Sequence, residues 1–91
     1  MQEEDFIFDW NDEKNNILQE ERNVCFEDVV LAFNENRILD ILKNPSKNFQ
    51  DQFSLVVKIS NYVYLVPFVK NWTTFFLKTI YPSRKYNKIF N

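Results

Sequence analysis

The sequence predicts an α+β domain: a short N-terminal strand and two helices, then an antiparallel sheet of three to four strands and a short C-terminal helix. Two runs rich in β-branched and aromatic residues, "FSLVVKI" and "YVYLVPF", flank a two-residue turn, which is typical of a β-hairpin. Residues 11–36 carry helix caps and apolar residues at helical spacing instead. With 91 residues, 45% of them apolar, the chain forms a single domain over residues 1–91.

The N-terminal half predicts an edge strand over residues 6–8 and two helices. The first helix runs through "WNDEKNNILQEERN", with Asn11 as its N-cap. Asn23 follows its last turn, where a residue in the left-handed conformation commonly ends a helix. The second helix covers residues 26–36, with Cys25 as its N-cap and the carboxylate of Asp28 at the capping-box position.

The C-terminal half predicts the sheet. The run "RILDILK" fits either a helix extension or a strand, and we favour a strand because a polar connection with a proline, "KNPSKNFQDQ", follows it. Ser60 and Asn61 form the hairpin turn. A third run, "TTFFLKTIY", completes an antiparallel meander that ends at Pro82, and Ser83 caps a helix that begins at Arg84. The predicted register places one set of side chains on a common face: Phe53, Leu55, Val57, Ile59, Tyr62, Tyr64, Val66 and Phe68.

The composition excludes several classes of enzyme. The chain has no histidine, which excludes Ser-His-Asp and Cys-His nucleophiles and Cys/His zinc sites. It has no glycine, which excludes a P-loop or a dinucleotide fingerprint. Catalysis would have to use lysine, arginine, tyrosine or carboxylates. Asp9, Asp12 and Glu13 could bind Mg²⁺ in principle, but helix capping accounts for them, so we predict neither a metal nor a cofactor.

The sequence also bears on the compartment. No run approaches the ~20 apolar residues of a membrane span. The acidic start "QEED" is unlike a signal peptide, and the single cysteine, Cys25, cannot form an internal disulfide. We therefore expect a cytoplasmic protein with no membrane association.

The charge is divided between the two halves of the chain. Residues 1–51 hold all thirteen acids and five bases, a net charge of −8, whereas residues 52–91 hold six bases and no acid, a net charge of +6. The closing tract "LKTIYPSRKYNKIF" interleaves these bases with tyrosines. It has two interpretations: an RNA-binding surface, in which cations and a helix N-terminus contact phosphates, or a solvated, lysine-rich face with no partner.

Two blocks of sequence resemble the BrnT-like toxins of bacterial type II toxin–antitoxin systems. They are "FDWNDEKNNILQEERNVCFEDVV" near the start and "FLKTIYPSRKYNKIF" at the end. The resemblance implies a RelE-like fold and a metal-independent endoribonuclease that inhibits translation by cleaving RNA, either free or associated with the ribosome. It also implies a cognate antitoxin, of the ribbon-helix-helix type, as the partner.

The resemblance assigns residues by position. Arg84 matches the family's C-terminal arginine and is the expected clamp on the transition state. Lys78 corresponds approximately to the basic residue that opens the family's last strand motif, and Lys14 matches the lysine of the first helix, with a phosphate contact or a surface ion pair as its role. Tyr81 is assigned as proton donor from its chemistry alone. The remaining predicted RNA contacts come from the tract itself: Ser83, Lys85 and Lys88.

Two alternatives remain at this point. The chain could keep the fold as a non-catalytic protein-interaction domain, or it could bind RNA without cleaving it. Cys25, at a helix start, could have a lowered pKa, but no base or resolving thiol accompanies it. Trp10 and Trp72 are expected to be packing anchors, although Trp72 precedes the last strand and could stack on a base instead.

Overall fold

Residues 6–43 and 52–91, the part of the chain described by the computed structural model, form a six-stranded sheet with three helices. The elements in chain order are β1 (Ile7–Asp9), α1 (Asp12–Arg22), α2 (Phe26–Asn34), β2 (Ile38–Lys43), β3 (Gln52–Ile59), β4 (Tyr62–Asn71), β5 (Thr74–Leu77), β6 (Tyr81–Pro82) and α3 (Arg84–Phe90). The predicted α+β class is confirmed. Residues 44–51 of the predicted polar connection lie outside the described residues.

The sheet differs from the predicted one in two ways. Its strand order is β1-β5-β4-β3-β2, with β6 also paired to β4, so the prediction of three to four strands is wrong. The sheet is also mixed, because β1 runs parallel to β5 with Ile7 opposite Thr74. A parallel pair between the two ends of the chain is a non-local contact, and local sequence patterns do not encode its direction.

The N-terminal helices begin and end close to the predicted residues. Asn11 caps α1, since its side-chain oxygen accepts the Lys14 amide at 2.9 Å, and Asn23 ends it with φ of 57°. The α2 helix ends two residues before the predicted position 36. At its start, Asp28 Oδ2 accepts the amide of Cys25 at 3.0 Å, as the capping box predicts.

Asn15 joins the two helices. Its Oδ1 accepts the amide of Phe26 at 2.6 Å, and its Nδ2 donates to Glu27 Oε1 at 2.8 Å. This hydrogen bond from Asn15 lowers the pKa of the Glu27 carboxyl. One amide side chain therefore satisfies a free backbone donor of α2 and fixes the angle between α1 and α2.

The helices α1 and α2 cover one face of the sheet. The buried cluster combines Leu18 of α1 and Phe26 of α2 with strand residues such as Val66. Trp10 packs as predicted, with its ring stacked 5.5 Å from that of Phe26. A chain of phenylalanine rings extends the cluster towards the sheet edge, with neighbouring centroids 4.9 to 6.0 Å apart: Phe33, Phe6, Phe8, Phe75, Phe68 and Phe53.

The β3–β4 hairpin has the predicted turn and register. Ser60 and Asn61 have φ of 50° and 70°, as a type I′ turn requires at both central positions. Ile59 pairs with Tyr62 beside the turn, and the following pairs extend in step to Phe53 and Phe68. The predicted shared face is confirmed, and it is the face that packs on the helices.

The predicted single strand over residues 73–81 is wrong. β5 ends at Leu77, and pairing with β4 resumes only in β6, at Tyr81–Pro82. In β4, Phe68 pairs with Leu77 and Leu65 pairs with Tyr81. The four residue steps from Leu77 to Tyr81 therefore lie opposite three steps on β4, which makes a bulge of one residue. Pro82, expected to end the strand, lies within β6 instead.

Pro67 explains the position of this break. Along β4, the backbone groups of successive residues form hydrogen bonds alternately to β3 and to the strand on the other side of β4. The backbone groups of Pro67 point away from β3, towards that second strand. Its carbonyl accepts the Lys78 amide at 2.8 Å, but proline has no amide hydrogen to return to the carbonyl of Lys78. Pro67 and Lys78 can therefore make only one of the two hydrogen bonds of a regular antiparallel pair. Prolines inside sheets are commonly found at such bulges.

Beside the first residues of β4, the α3 helix takes the place of a neighbouring strand. Val63 is fully buried, and its carbonyl accepts the amide of Ser83 at 3.0 Å. Its own amide donates to Asn87 Oδ1 at 3.1 Å. Ser83 caps α3 as predicted, with its hydroxyl accepting the Tyr86 amide at 3.1 Å. An asparagine side chain thus supplies the acceptor that a continued strand would have provided.

Replacing Asn87 by alanine should destabilise the domain by about 1–3 kcal/mol, because it leaves the buried amide of Val63 without an acceptor. Asn87→Asp keeps an oxygen acceptor at that position and should lose less stability than Asn87→Ala. Urea denaturation measures both changes, with Lys88→Ala as the exposed neighbouring control, expected within about 0.5 kcal/mol of the wild type. Equal stability of the Asn87→Ala and Lys88→Ala variants would contradict this role.

Candidate nucleic-acid interface

The sheet face opposite α1 and α2 carries the candidate site. Cross-strand pairing puts Val69 beside Phe76 and Leu65 beside Tyr81 on this face, and all four side chains are at least partly exposed. With Lys78 they form what we call the open face, which covers only part of this side of the sheet, since Val56 and Val63 on the same side are fully buried. Aromatic and apolar surface flanked by cations suits contact with nucleobases and phosphates together.

Lys78 and Tyr81 lie on the open face on either side of the bulge. The Lys78 Nζ is 5.3 Å from the ring centroid of Phe76, a cation–π distance, which places the ammonium group on this face. Tyr81 is three positions after Lys78, so their Cα atoms are at most ~10 Å apart. The structure therefore brings together two of the three predicted catalytic residues.

The remaining cations of the tract belong to α3. Arg84 and Lys85 are exposed in its first turn, three and four residues after Tyr81, and Lys88 is exposed in its second. The Lys85 Nζ lies 5.3 Å from the ring centroid of Tyr86. Within residues 6–43 and 52–91 the one ion pair joins Arg37 to Glu35, so these cations bind no described carboxylate.

Two predicted RNA contacts lie elsewhere. Ser83 is 8% exposed, and its oxygen caps α3, so it positions the helix that carries Arg84. Lys14 is in the first turn of α1, on the helical side of the sheet. The far end of that helix, Arg22, contacts the tract, and eight residues of helix put Lys14 about 12 Å away from Arg22. The structure does not bring Lys14 to the open face.

Two residues near the site were not predicted to belong to it, and one of them, Asp9, had been considered only as a Mg²⁺ ligand. Asp9 pairs with Phe76, which puts a carboxylate at the edge of the open face, where its Oδ1 accepts the amide of Trp10 at 2.8 Å. Arg22 Nη1 donates to the carbonyl of Ile80 at 2.8 Å, within the bulge. Alternation in "FIFDW" predicts that Asp9 points away from the core, because Phe8 points towards it. The residues that lie beside Asp9, however, are determined by the parallel pairing of β1 with β5, which the sequence pattern does not predict.

The prediction that Trp72 is a packing anchor is wrong. Trp72 lies in the turn between β4 and β5 and is 88% exposed. Its φ of 58° belongs to the left-handed region.

Cys25 is not an activated thiol. Burial raises its pKa, and the neighbouring charge of Asp28 acts in the same direction. The lowered pKa considered for a cysteine at a helix start is therefore wrong, because burial of the thiol, together with the charge of Asp28, outweighs the hydrogen bond from the Asp28 backbone amide that lowers the pKa. In the described part of the chain, no three histidine, cysteine or acidic residues are grouped as a metal site, and no helix is long and apolar enough to span a membrane.

Cys25 should alkylate with iodoacetamide at a higher pH than an unperturbed thiol. A raised pKa means less thiolate in the folded chain at any given pH, and the thiolate is the reacting form. The rate against pH should have its midpoint above that of the same chain unfolded in urea. A folded-state midpoint below the unfolded one would contradict the raised pKa.

In comparisons with known proteins, no family model matches the chain and no curated protein shows significant similarity to it. The likeness to BrnT-like toxins thus depends on the two sequence blocks alone. The geometry of the open face provides a separate basis for a functional proposal.

Proposed function

We propose that the protein is a metal-independent endoribonuclease of the RelE-like toxin type, which inhibits translation in the cytoplasm by cleaving RNA. The observation that carries the proposal is the grouping of Lys78, Tyr81 and Arg84 around the bulge after β5. A cation in the bulge, a phenol at the start of β6 and a second cation on the following helix fit the groups that phosphodiester cleavage needs without a metal.

The reaction would use the RNA's own 2′-hydroxyl as nucleophile. Its oxygen attacks the adjacent phosphorus, the bond from phosphorus to the 5′ oxygen breaks, and the products are a 2′,3′-cyclic phosphate and a 5′-hydroxyl. Arg84 and Lys78 stabilise the charge that develops on the phosphoryl oxygens. Tyr81 donates a proton to the leaving 5′ oxygen.

Asp9 is the candidate acceptor for the proton of the 2′-hydroxyl. It lies beside Phe76 in the neighbouring strand, while Lys78 follows Phe76 by two residues. With strands about 4.8 Å apart and a rise of about 3.3 Å per residue, the Cα atoms of Asp9 and Lys78 are roughly 8 Å apart. A carboxylate at that separation leaves room for one phosphodiester between the two side chains.

The charge distribution supports both proposed partners. The six bases of residues 52–91 lie in β3, β4, the bulge and α3, and this part of the chain contains no acid. A net positive charge attracts a polyanion such as RNA. The described acids whose strand pairing places them on the open face are Asp9 and Asp40. The acids of α1 and α2 lie on the opposite side of the sheet. We assign that side to the basic residues of a ribbon-helix-helix antitoxin, which leaves the open face to RNA.

A second candidate function is RNA binding without cleavage. Two lysine ammonium groups lie over aromatic rings, Lys78 over Phe76 and Lys85 over Tyr86. This arrangement presents rings and cations together and is sufficient for stacking and phosphate contact. A protein-interaction domain would use the same surface for an acidic partner.

Arg84→Ala should lower the rate of RNA cleavage about 10²–10³-fold, the usual loss for one group that stabilises a transition-state oxyanion. The assay uses purified full chain, single-stranded RNA and EDTA, with the product ends tested for 2′,3′-cyclic phosphate. Lys14→Ala removes the same charge on the helical side and is the matched control, expected to cleave at the wild-type rate.

The same variants expressed in bacteria test the toxin assignment. Growth arrest by the wild type and by Lys14→Ala, and none by Arg84→Ala at equal yield of folded protein, is the expected result. Folded wild type that binds RNA but neither cleaves it nor arrests growth would favour the second candidate. Wild type that does not bind RNA would exclude both.

A further inference from the structure

Trp72 is the most exposed large apolar side chain of the described residues. It is 88% exposed, whereas the other tryptophan, Trp10, stacks on Phe26 in the core. Indole is the side chain with the largest apolar area, and a soluble surface gains nothing from presenting it to water. An indole in this position has surface available for a ligand.

The backbone at Trp72 adds to this argument. The two-residue turn has its positive φ at the first central position, 58° at Trp72, where glycine is strongly preferred. Five described residues have left-handed φ, and three of them are asparagines, the residue that tolerates this conformation best after glycine: Asn23, Asn36 and Asn61. A bulky aromatic residue there is unfavourable for the turn, and such strain is commonly found at functional sites.

The indole borders a cleft. Trp72, Asn71, Lys70 and Phe53 line a volume of about 430 Å³, within the range of small-molecule sites. A smaller and more apolar cleft of about 190 Å³ shares Phe53 and Lys70 with the first. The Lys70 ammonium group thus belongs to a surface that also presents an exposed indole, a phenyl ring and a carboxamide.

We propose that Trp72 and Lys70 form a second contact site for single-stranded RNA, in which a base stacks on the indole and Lys70 contacts a phosphate. The Asn71 amide would hydrogen-bond the edge of the stacked base. Charge favours RNA, since residues 52–91 contain no acid. Lys70 pairs with core-facing Phe75, so it points to the face of the sheet that packs on α1 and α2, near the end of that face. An RNA strand bound to both sites would therefore pass around the β4–β5 turn, from Lys70 and Trp72 to Lys78 on the open face. The inference deepens the proposed function and depends on its RNA substrate.

The test uses a 2′-O-methyl oligouridine, which cannot be cleaved because its nucleophile is blocked. In a Trp10→Phe variant, Trp72 is the sole indole, and saturable quenching of its emission by the oligonucleotide is the expected result. In the otherwise wild-type chain, Trp72→Ala should weaken binding of a labelled oligonucleotide about 5- to 150-fold, the range for loss of one stacked base. Trp72→Phe, which keeps an aromatic face, should restore most of the affinity.

Lys70→Gln should flatten the plot of log affinity against log salt by about 0.7, the slope for one single-stranded phosphate. Lys14→Gln, the matched control, should leave the slope unchanged. Oligonucleotide binding that leaves Trp72 emission and the Trp72→Ala affinity unaltered would overturn the inference, including the case in which Trp72 contacts a protein.

The two proposals fail separately. If Trp72 is quenched and Trp72→Ala weakens binding, but no RNA is cleaved, then this contact site stands and the nuclease proposal fails. If RNA is cleaved in an Arg84-dependent way while Trp72→Ala binds like the wild type, then the nuclease proposal stands and the contact site fails.

Discussion

Pro67 is the residue on which the geometry of the candidate site depends. It lies in the interior of β4, where it faces the C-terminal part of the chain and offers a carbonyl but no amide hydrogen. Since the ladder cannot continue regularly past Lys78, the chain bulges there and re-forms its pairing at Tyr81. Without that interruption, alternation along one strand would put Lys78 and Tyr81 on opposite faces, because they are three residues apart.

The other side of the site depends on the aromatic cluster. Phe8 contacts Phe33 and Phe75, and the rings of Phe68 and Phe75 are stacked 4.9 Å apart. These contacts anchor a strand of only three residues, β1, against β5. Because Phe8 faces the helices, Asp9 must face the other way, and so a residue from the acidic half of the chain lies among the cations of the basic half.

Local signals were sufficient to predict the hairpin, its register and the helix ends. Ser60 and Asn61 determine a turn type, the turn determines which residues pair, and Asn23 and Ser83 mark where helices end and begin. The order of strands and the direction of β1 could not be predicted, since they arise from contacts between the two ends of the chain.

Only part of the site was predicted, because some of its residues are also brought together by contacts between distant parts of the chain. Residues close in sequence, Lys78, Tyr81 and Arg84, were identified together, while Asp9 and Arg22 reach the tract only through tertiary structure. The bulge itself was predictable in principle. Counting alternate residues of β4 from the turn shows that Pro67 lacks a donor towards the next strand, but the pattern of "TTFFLKTIY" favours an unbroken strand.

The claim that RNA binds on the open face, opposite α1 and α2, is central to this account. The most direct measurement is a titration of ¹⁵N-labelled chain with the uncleavable 2′-O-methyl oligouridine, followed by amide chemical shifts. The account predicts saturable changes at Phe76, Lys78, Tyr81 and Arg84, with the amides of α2 unchanged. Changes confined to α1 and α2, with those four amides unmoved, would contradict it.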